Sequence, residues 1–191
     1  MPNSGNTVTN VTTGKPKVGG AIYVAPIGTT MPDDPVDNLD AAFKCLGYVS
    51  EDGVKNSFSP NTDTVKAWGG DTVLNTNQGR DDTFTFTLIE ALNADVMKLV
   101  YGSSNVTGTW TGTTGDALAV SVNGEDTDDV IIVIDMIMRG NVLKRTVMPC
   151  AHVTDVGEVT YADDSAVGYE TTVTCQPGAD GDYHKDYYVK Q

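Results

Sequence analysis

Two histidines, three cysteines and a scatter of paired aspartates are the side chains of this sequence that could carry acid–base, nucleophilic or metal chemistry. His152 lies in a strand-like alternation and His184 in a tyrosine-rich tail. Neither has a Ser or Cys elbow beside it, and no GxSxG is present. Cys45, Cys150 and Cys175 are odd in number, widely spaced and free of CxxC or Cys/His spacing. They read as buried free thiols of a reducing compartment, not as a disulfide framework or a zinc site. The acidic pairs Asp33-Asp34, Asp81-Asp82, Asp128-Asp129 and Asp163-Asp164 would need a defined separation in space to act as catalytic carboxylates. "NGEDTDDV" (123–130) and "GADGDY" (178–183) are rich in oxygen ligands but do not match EF-hand spacing, so turns on an acidic surface account for them. "GGA" (19–21) and "WGGD" (68–71) lack the spacing of phosphate-cradling loops. Nothing here makes an enzyme, and no cofactor or metal site is expected.

The elements that would position these residues belong to one domain of 191 residues, long enough to bury a real core. Abundant Thr, Val and Asp with 20 glycines favour short strands and tight turns. Net charge is −14, from 12 Lys plus Arg against 26 Asp plus Glu. A nucleic-acid reader neutralises phosphates with a basic patch, and this balance argues against specific DNA binding. An acidic surface facing DNA acts instead as a repelling wall. The first twenty residues lack an apolar stretch and do not read as a signal peptide. The longest apolar run, "VIIVIDMIM" (130–138), is interrupted by Asp135 and is far too short for a membrane span.

Along the chain, 1–19 reads as a polar N-terminal arm, 20–176 as a β domain and 177–191 as a C-terminal arm. "AIYVAPI" (21–27) is the first strand, and "AAFKCLGYVS" (41–50) is read as another. Residues 51–82 form a long segment rich in Asn, Asp, Ser, Pro and Gly. Its two short strand-like pieces, "DTVKAW" and "DTVLNT", meet at Gly69-Gly70 as a hairpin. "DTFTFTLIE" (82–90) alternates, with Phe84, Phe86 and Leu88 on one face and Thr83, Thr85 and Thr87 on the other. "ALNADVMKLVYG" (91–102) changes to helical spacing through Leu92, Val96, Leu99 and Val100, with Gly102 as its stop. The second half is strands: "NVTGTWT", "ALAVSV", "VIIVIDMIM" as a central strand, "NVLKRTVM", "AHVTDVGEVTYA" and "VGYETTVTC", with "RGN" (139–141) as a tight turn. The fold class is mainly β: a β-sandwich or partly closed barrel with one flanking helix, a long loop and terminal arms.

Trp68 stands out against this background. A tryptophan between a lysine and a glycine pair, in a segment with little to bury it, points to a core that one chain does not supply. Tyr187 and Tyr188 in the C-terminal arm pose the same question. The candidate assembly interface is therefore Asp63, Val65, Lys66, Trp68, Gly69, Gly70 and Asp71, with Tyr187 and Tyr188.

Several long stretches in order carry a family resemblance: "NVTTGKPKVGGAIYVAPIGT" (10–29), "LDAAFKCLGYVSEDGV" (39–54), "VKAWGGDTV" (65–73), "DTFTFTLIEALNADVMKLVYGSSNVTG" (82–108), "VIDMIMRGNVLKRTVMP" (133–149) and "VGEVTYADDSAVGYETTVT" (156–174). Over roughly 10–175 the chain resembles the major tail proteins, or tail tube proteins, of long-tailed non-contractile bacteriophages. That resemblance implies a β-sandwich or barrel-like body with a flanking helix, hexameric rings that stack into a tube, and a lumen through which viral DNA passes. It implies that the long loop and the arms reach neighbouring subunits or rings, and that the partners are further copies of the chain and the tail-tip, tape-measure and tail-terminator proteins. Assembly would take place in the host bacterial cytoplasm, and the product would be part of the virion. Six copies of −14 would make on the order of −80 per ring, which repels phosphate where it faces the lumen. The alternative is an acidic β-sandwich binding module for carbohydrate or cell-surface adhesion, with Trp68 and Trp110 as a sugar-stacking platform.

Overall fold

The alternation of Phe84, Phe86 and Leu88 with threonines fixes which face of the sheet is buried, and the rest of the chain is arranged around that face. The computed structural model describes residues 5–17 and 19–191. Among them the order is β1 (Gly14–Pro16), β2 (Ile22–Pro26), β3 (Lys44–Cys45), β4 (Val49–Lys66), β5 (Thr72–Leu88), α1 (Ala94–Tyr101), β6 (Val106–Thr109), β7 (Ala117–Val120), β8 (Val130–Met138), β9 (Val142–Val156), β10 (Tyr169–Cys175) and β11 (Lys185–Lys190). Nine strands form one antiparallel sheet in the order β3-β2-β8-β9-β10-β5-β4, with β1 also on β8 and β11 also on β9. The pair β6–β7 stands apart.

Ile22 of β2 and Phe86 of β5 lie far apart in that order yet share one buried cluster, so the sheet curls around its core without closing. Val96, Met97, Leu99 and Val100 of α1 plug this concave side. Asn93 starts the helix by accepting the Asp95 N–H at 3.0 Å, and Gly102, at φ 91°, ends it. β8 is apolar on both faces. Ile132 and Ile134 enter the concave core, whereas Ile131 and Val133 join Ala25, Phe43 and Val147 in a second cluster on the other side. The protein is thus mainly β, a β-sandwich with one helix.

Asp135 continues the alternation of β8 on the side of the second cluster. Directly opposite in register stands Arg145 of β9, 1% exposed. Its Nε and Nη2 donate to the two oxygens of Asp135 at 2.6 and 2.8 Å, and Nη1 donates to the carbonyls of Asp34 and Asp37 at 2.6 and 3.0 Å. Lys17 Nζ adds a contact to Asp135 at 3.3 Å. A charge this deep is tolerated only because it is paired and hydrogen-bonded.

Several boundaries differ from the sequence reading. The segment 51–82 is not a loop with two short strands: β4 and β5 pair nearly continuously from Val54↔Phe86 to Lys66↔Thr72. Its turn-forming residues serve as edge and bulge devices. Pro60 lies on an edge strand, and Gly79, at φ 111°, sits where the register shifts. "NVLKRTVM" and the start of "AHVTDVGEVTYA" are one strand, β9, which passes Pro149-Cys150 by a bulge opposite Ile131. Residues 157–168 are irregular. The strand expected over 41–50 is reduced to Lys44–Cys45 and the first residues of β4. The helix starts at Ala94, which leaves Leu92 outside it and 54% exposed. Of the expected N-terminal arm, 1–4 and 18 lie outside the described residues, and Gly14–Pro16 pair with β8. The expected C-terminal arm contains a strand, because Lys185–Lys190 pair with Val142–Val147.

Replacing Arg145 with Met is expected to destabilise the fold by about 3–5 kcal/mol in urea unfolding, since Asp135 keeps only Lys17. Replacing Asp135 with Leu in that variant should recover much of the loss, whereas protection of 33–38 from proteolysis should not return.

Candidate assembly interface

Beyond Asp82 the β4–β5 hairpin leaves the body. From Phe58 to Asp81 every residue is exposed except Thr76, which is half-buried. About ten residues separate Phe58 from Trp68, a reach of roughly 33 Å at strand rise. At the tip the Gly70 N–H donates to the Ala67 carbonyl at 2.9 Å, and the Ala67 N–H to the Asp71 carbonyl at 2.7 Å. Gly69 and Gly70 hold φ of 120° and 98°, which side chains resist. This turn presents Trp68 with 107% relative exposure. Val65 and Leu74 face each other across the ladder, and both are exposed along with Val73. An isolated two-stranded ribbon is marginal in water. This one gains its regularity from the sheet that it extends.

The hairpin root is fastened by the chain leading into β11. Asp82 is fully buried and accepts from Asn56 Nδ2 at 2.7 Å and from His184 Nδ1. The His184 ring meets Phe84 edge-on at 5.2 Å, and Tyr183 meets Phe58 edge-on at 6.3 Å. The Cys175 thiol lies here too. Burial pushes its pKa up, and the charge of Asp82 adds to the rise, so it stays a thiol. Asp82 and His184 therefore make a structural clasp, a role that sequence reasoning missed. Their separation of 102 residues hid it; the one available signal was the break in the alternation of β5, where an aspartate takes an inward position.

The predicted interface residues fall in two places. Asp63, Val65, Lys66, Trp68, Gly69, Gly70 and Asp71 are together at or near the hairpin tip, while Tyr187 and Tyr188 lie on β11. Tyr187 is half-buried against the second cluster of its own chain, and Tyr188 is 54% exposed beneath Lys144 Nζ, 5.4 Å from its ring centre. Asp186 binds Lys144 at 2.8 Å and accepts from Thr146 and Tyr188. Burial raises the Asp186 pKa, but the hydrogen bonds from Lys144 and Thr146 outweigh it and hold the carboxyl below its ordinary value.

The chemistry-bearing residues stay scattered. His152 is half-buried on β9, 3.0 Å from Asp129, and all three cysteines are free. Burial and the charge of Asp129 raise the Cys150 pKa. Among the described residues no group of three His, Cys, Asp or Glu could hold a metal ion, and no helix is long and apolar enough to cross a membrane. Trp110 lies just past β6, and among the described residues neither tryptophan is paired with another ring.

The described residues form a curled β body with a projecting hairpin. The family model for phage tail tube proteins matches residues 11–189, and the chain belongs to that family. It is a structural component of the virion tail. No curated protein sequence matches it.

Two outcomes follow from the clasp and the strand. His184→Ala leaves Asp82 buried with fewer partners and should cost about 1–3 kcal/mol in urea unfolding, with faster amide exchange at 57–59 and 81–83. For β11 the sign is set by the lowered Asp186 pKa: its contribution is present above the unfolded carboxyl value of about 3.9 and is lost as pH falls through the folded value. Chemical shifts of 185–190 should move toward unpaired values in that acid range, and Asp186→Asn should abolish the transition.

Proposed function

We propose that this chain is the repeating subunit of a non-contractile phage tail tube, assembling into stacked, hexameric rings whose acidic lumen conducts DNA during infection. The observation that carries this reading is the hairpin from 58 to 81, a long, ordered arm with almost no burial and a fully exposed tryptophan at its end. A tryptophan buries on the order of 200 Å², worth about 5 kcal/mol at 25 cal/mol per Å² before ordering costs, and in this chain that term is unrealised. Contact of Asp63, Val65, Lys66, Trp68, Gly69, Gly70 and Asp71 with a neighbouring ring would realise it, with Tyr187 and Tyr188 as a second contact. If the arm runs along the tube, its reach also limits how far apart successive rings can stand.

With hexameric rings, −14 per chain becomes on the order of −80 per ring. Charge of that sign along a lumen repels phosphate and prevents the adhesion that Lys and Arg would cause. In this reading the tail-tip, tape-measure and terminator proteins set the start, length and end of the tube, assembly occurs in the host cytoplasm, and the subunit has no catalytic activity.

Electron microscopy of the purified chain across a concentration series is expected to show hollow tubes or stacked rings of uniform diameter. Trp68→Ala should raise the critical concentration about 30-fold, the equivalent of a 2 kcal/mol hot spot, without lowering monomer stability. Small monodisperse particles at every concentration, with or without the tail-tip complex, would refute the reading.

A further inference from the structure

The oxygen-rich stretch "NGEDTDDV" (123–130) holds the one Asn–Gly step of the chain, Asn123-Gly124. It lies in the irregular segment between β7 and β8, and Asn123 is exposed. The Asn123 side chain is folded back over its own following backbone: Oδ1 accepts the Glu125 N–H at 3.0 Å, an Asx turn. The same Oδ1 accepts from Asn105 Nδ2 at 3.2 Å, and Asn123 Nδ2 donates to Asn105 Oδ1 at 2.9 Å. Asn105 is buried and tied to the end of α1, because its Nδ2 also donates to the Tyr101 carbonyl at 2.7 Å. Its own backbone carbonyl accepts the Ser121 N–H at 2.8 Å. Two side-chain amides thus latch the segment after β7 to the helix end.

We propose that Asn123 is a site of self-modification, converted in the folded chain to aspartate and isoaspartate by attack of the Gly124 backbone nitrogen. The Asx turn brings the Asn123 Cγ over the Gly124 peptide. Gly124 has no side chain to obstruct the approach. Its nitrogen gives its proton to water and bonds to Cγ. Negative charge develops on Oδ1, where the Glu125 N–H and Asn105 Nδ2 already donate. The Cγ–Nδ2 bond then breaks, Nδ2 takes a proton from water and leaves as ammonia, and a cyclic succinimide remains. Water opens the ring. Addition at Cγ restores the normal backbone with aspartate at 123, and addition at the main-chain carbonyl carbon gives isoaspartate. Nothing is oxidised or reduced: one water enters for one ammonia lost.

The product cannot keep the latch. A carboxylate at 123 retains both acceptor bonds but has no N–H for Asn105 Oδ1, which is left buried against another oxygen. Turning the Asn105 amide over would sacrifice its bond to the Tyr101 carbonyl. The new charge also joins Glu125, Asp126, Asp128 and Asp129, in a stretch with no Lys or Arg between Lys98 and Arg139. The change runs one way. A virion component is not renewed after assembly, so the change accumulates with the age of the particle. The step needs one chain only and stands apart from the tube reading.

Peptide mapping tests the site. The folded chain is incubated in mildly alkaline buffer, digested and analysed by mass spectrometry. The expected result is separately eluting aspartate and isoaspartate peptides at 123, formed at a rate within about tenfold of that of the same chain in urea. Hydroxylamine should cut the backbone after 123 while the succinimide is present. A Cβ at Gly124 meets nothing within 4 Å, so Gly124→Ala keeps the fold. Its added bulk beside the attacking nitrogen should slow the conversion about tenfold. Asn123→Asp should raise the amide-exchange rate of Ser121 about tenfold, as ageing of the wild-type chain should. Conversion in urea with none in the folded chain, or a rate that Gly124→Ala leaves unchanged, would overturn the site. Unchanged exchange at Ser121 in Asn123→Asp would overturn the unlatching.

Discussion

One buried ion pair holds together the parts of the molecule that the hydrophobic clusters alone would leave free to slide. Asp135 and Arg145 face each other on the two central strands, and Arg145 grips two carbonyls of the segment that covers the second cluster. Through Lys17 the same carboxylate also holds the chain between β1 and β2. Three stretches distant in sequence thus meet at one guanidinium–carboxylate contact. Apolar side chains of similar volume can match such a pair in stability. They cannot reach carbonyl oxygens in fixed directions, so the pair sets where the covering segment lies as well as how firmly it is held.

A body fixed in this way can aim an arm. β5 is one strand with two environments. Phe84, Phe86 and Leu88 are clamped in the core, while the residues before Asp82 are in water. The change occurs at a single buried aspartate, held by Asn56 and His184. Because the inner half of β5 is ordered between β10 and β4, the direction of the outer half is inherited from the sheet. The chain before β11 then braces the root through Tyr183 and His184. The C-terminal segment therefore serves the hairpin before any neighbour is present, which gives a use within the single chain to residues that read in sequence as a loose tail.

The parts legible in the sequence were those governed by local periodicity. The alternation of 83–88, the two-faced apolar run of β8 and the glycine stop of α1 each state their structure within a few residues. The hairpin tip was legible for the same reason, since a glycine pair between β-branched runs permits little else. The length of the hairpin was not. Asn, Asp, Ser and Pro over 51–63 are loop formers by propensity, and only pairing with a partner strand overrides that preference. β9 was divided at Pro149 because a proline normally ends a ladder, and the bulge that accommodates it is a tertiary feature. Contacts across a hundred residues, such as His184 with Asp82, leave no local trace.

The charge balance gains meaning from how the cations are used. Among the described residues, five of the twelve Lys and Arg are engaged with carboxylates: Lys17 and Arg145 at Asp135, Lys98 at Asp95, Lys144 at Asp186, and Lys185 at Asp180 and Asp182. Arg80 lies over the Phe58 ring at the hairpin root. Arg145 and Lys17 hold the fold at a buried carboxylate, whereas the pairs of Lys98 and Lys185 lie on the surface and add little. Over the chain as a whole Asp and Glu exceed Lys and Arg by 14, from 26 against 12. In a monomer that excess favours solubility. In the tube proposed above, the same excess would repeat around and along the rings, as a field of the sign that repels phosphate.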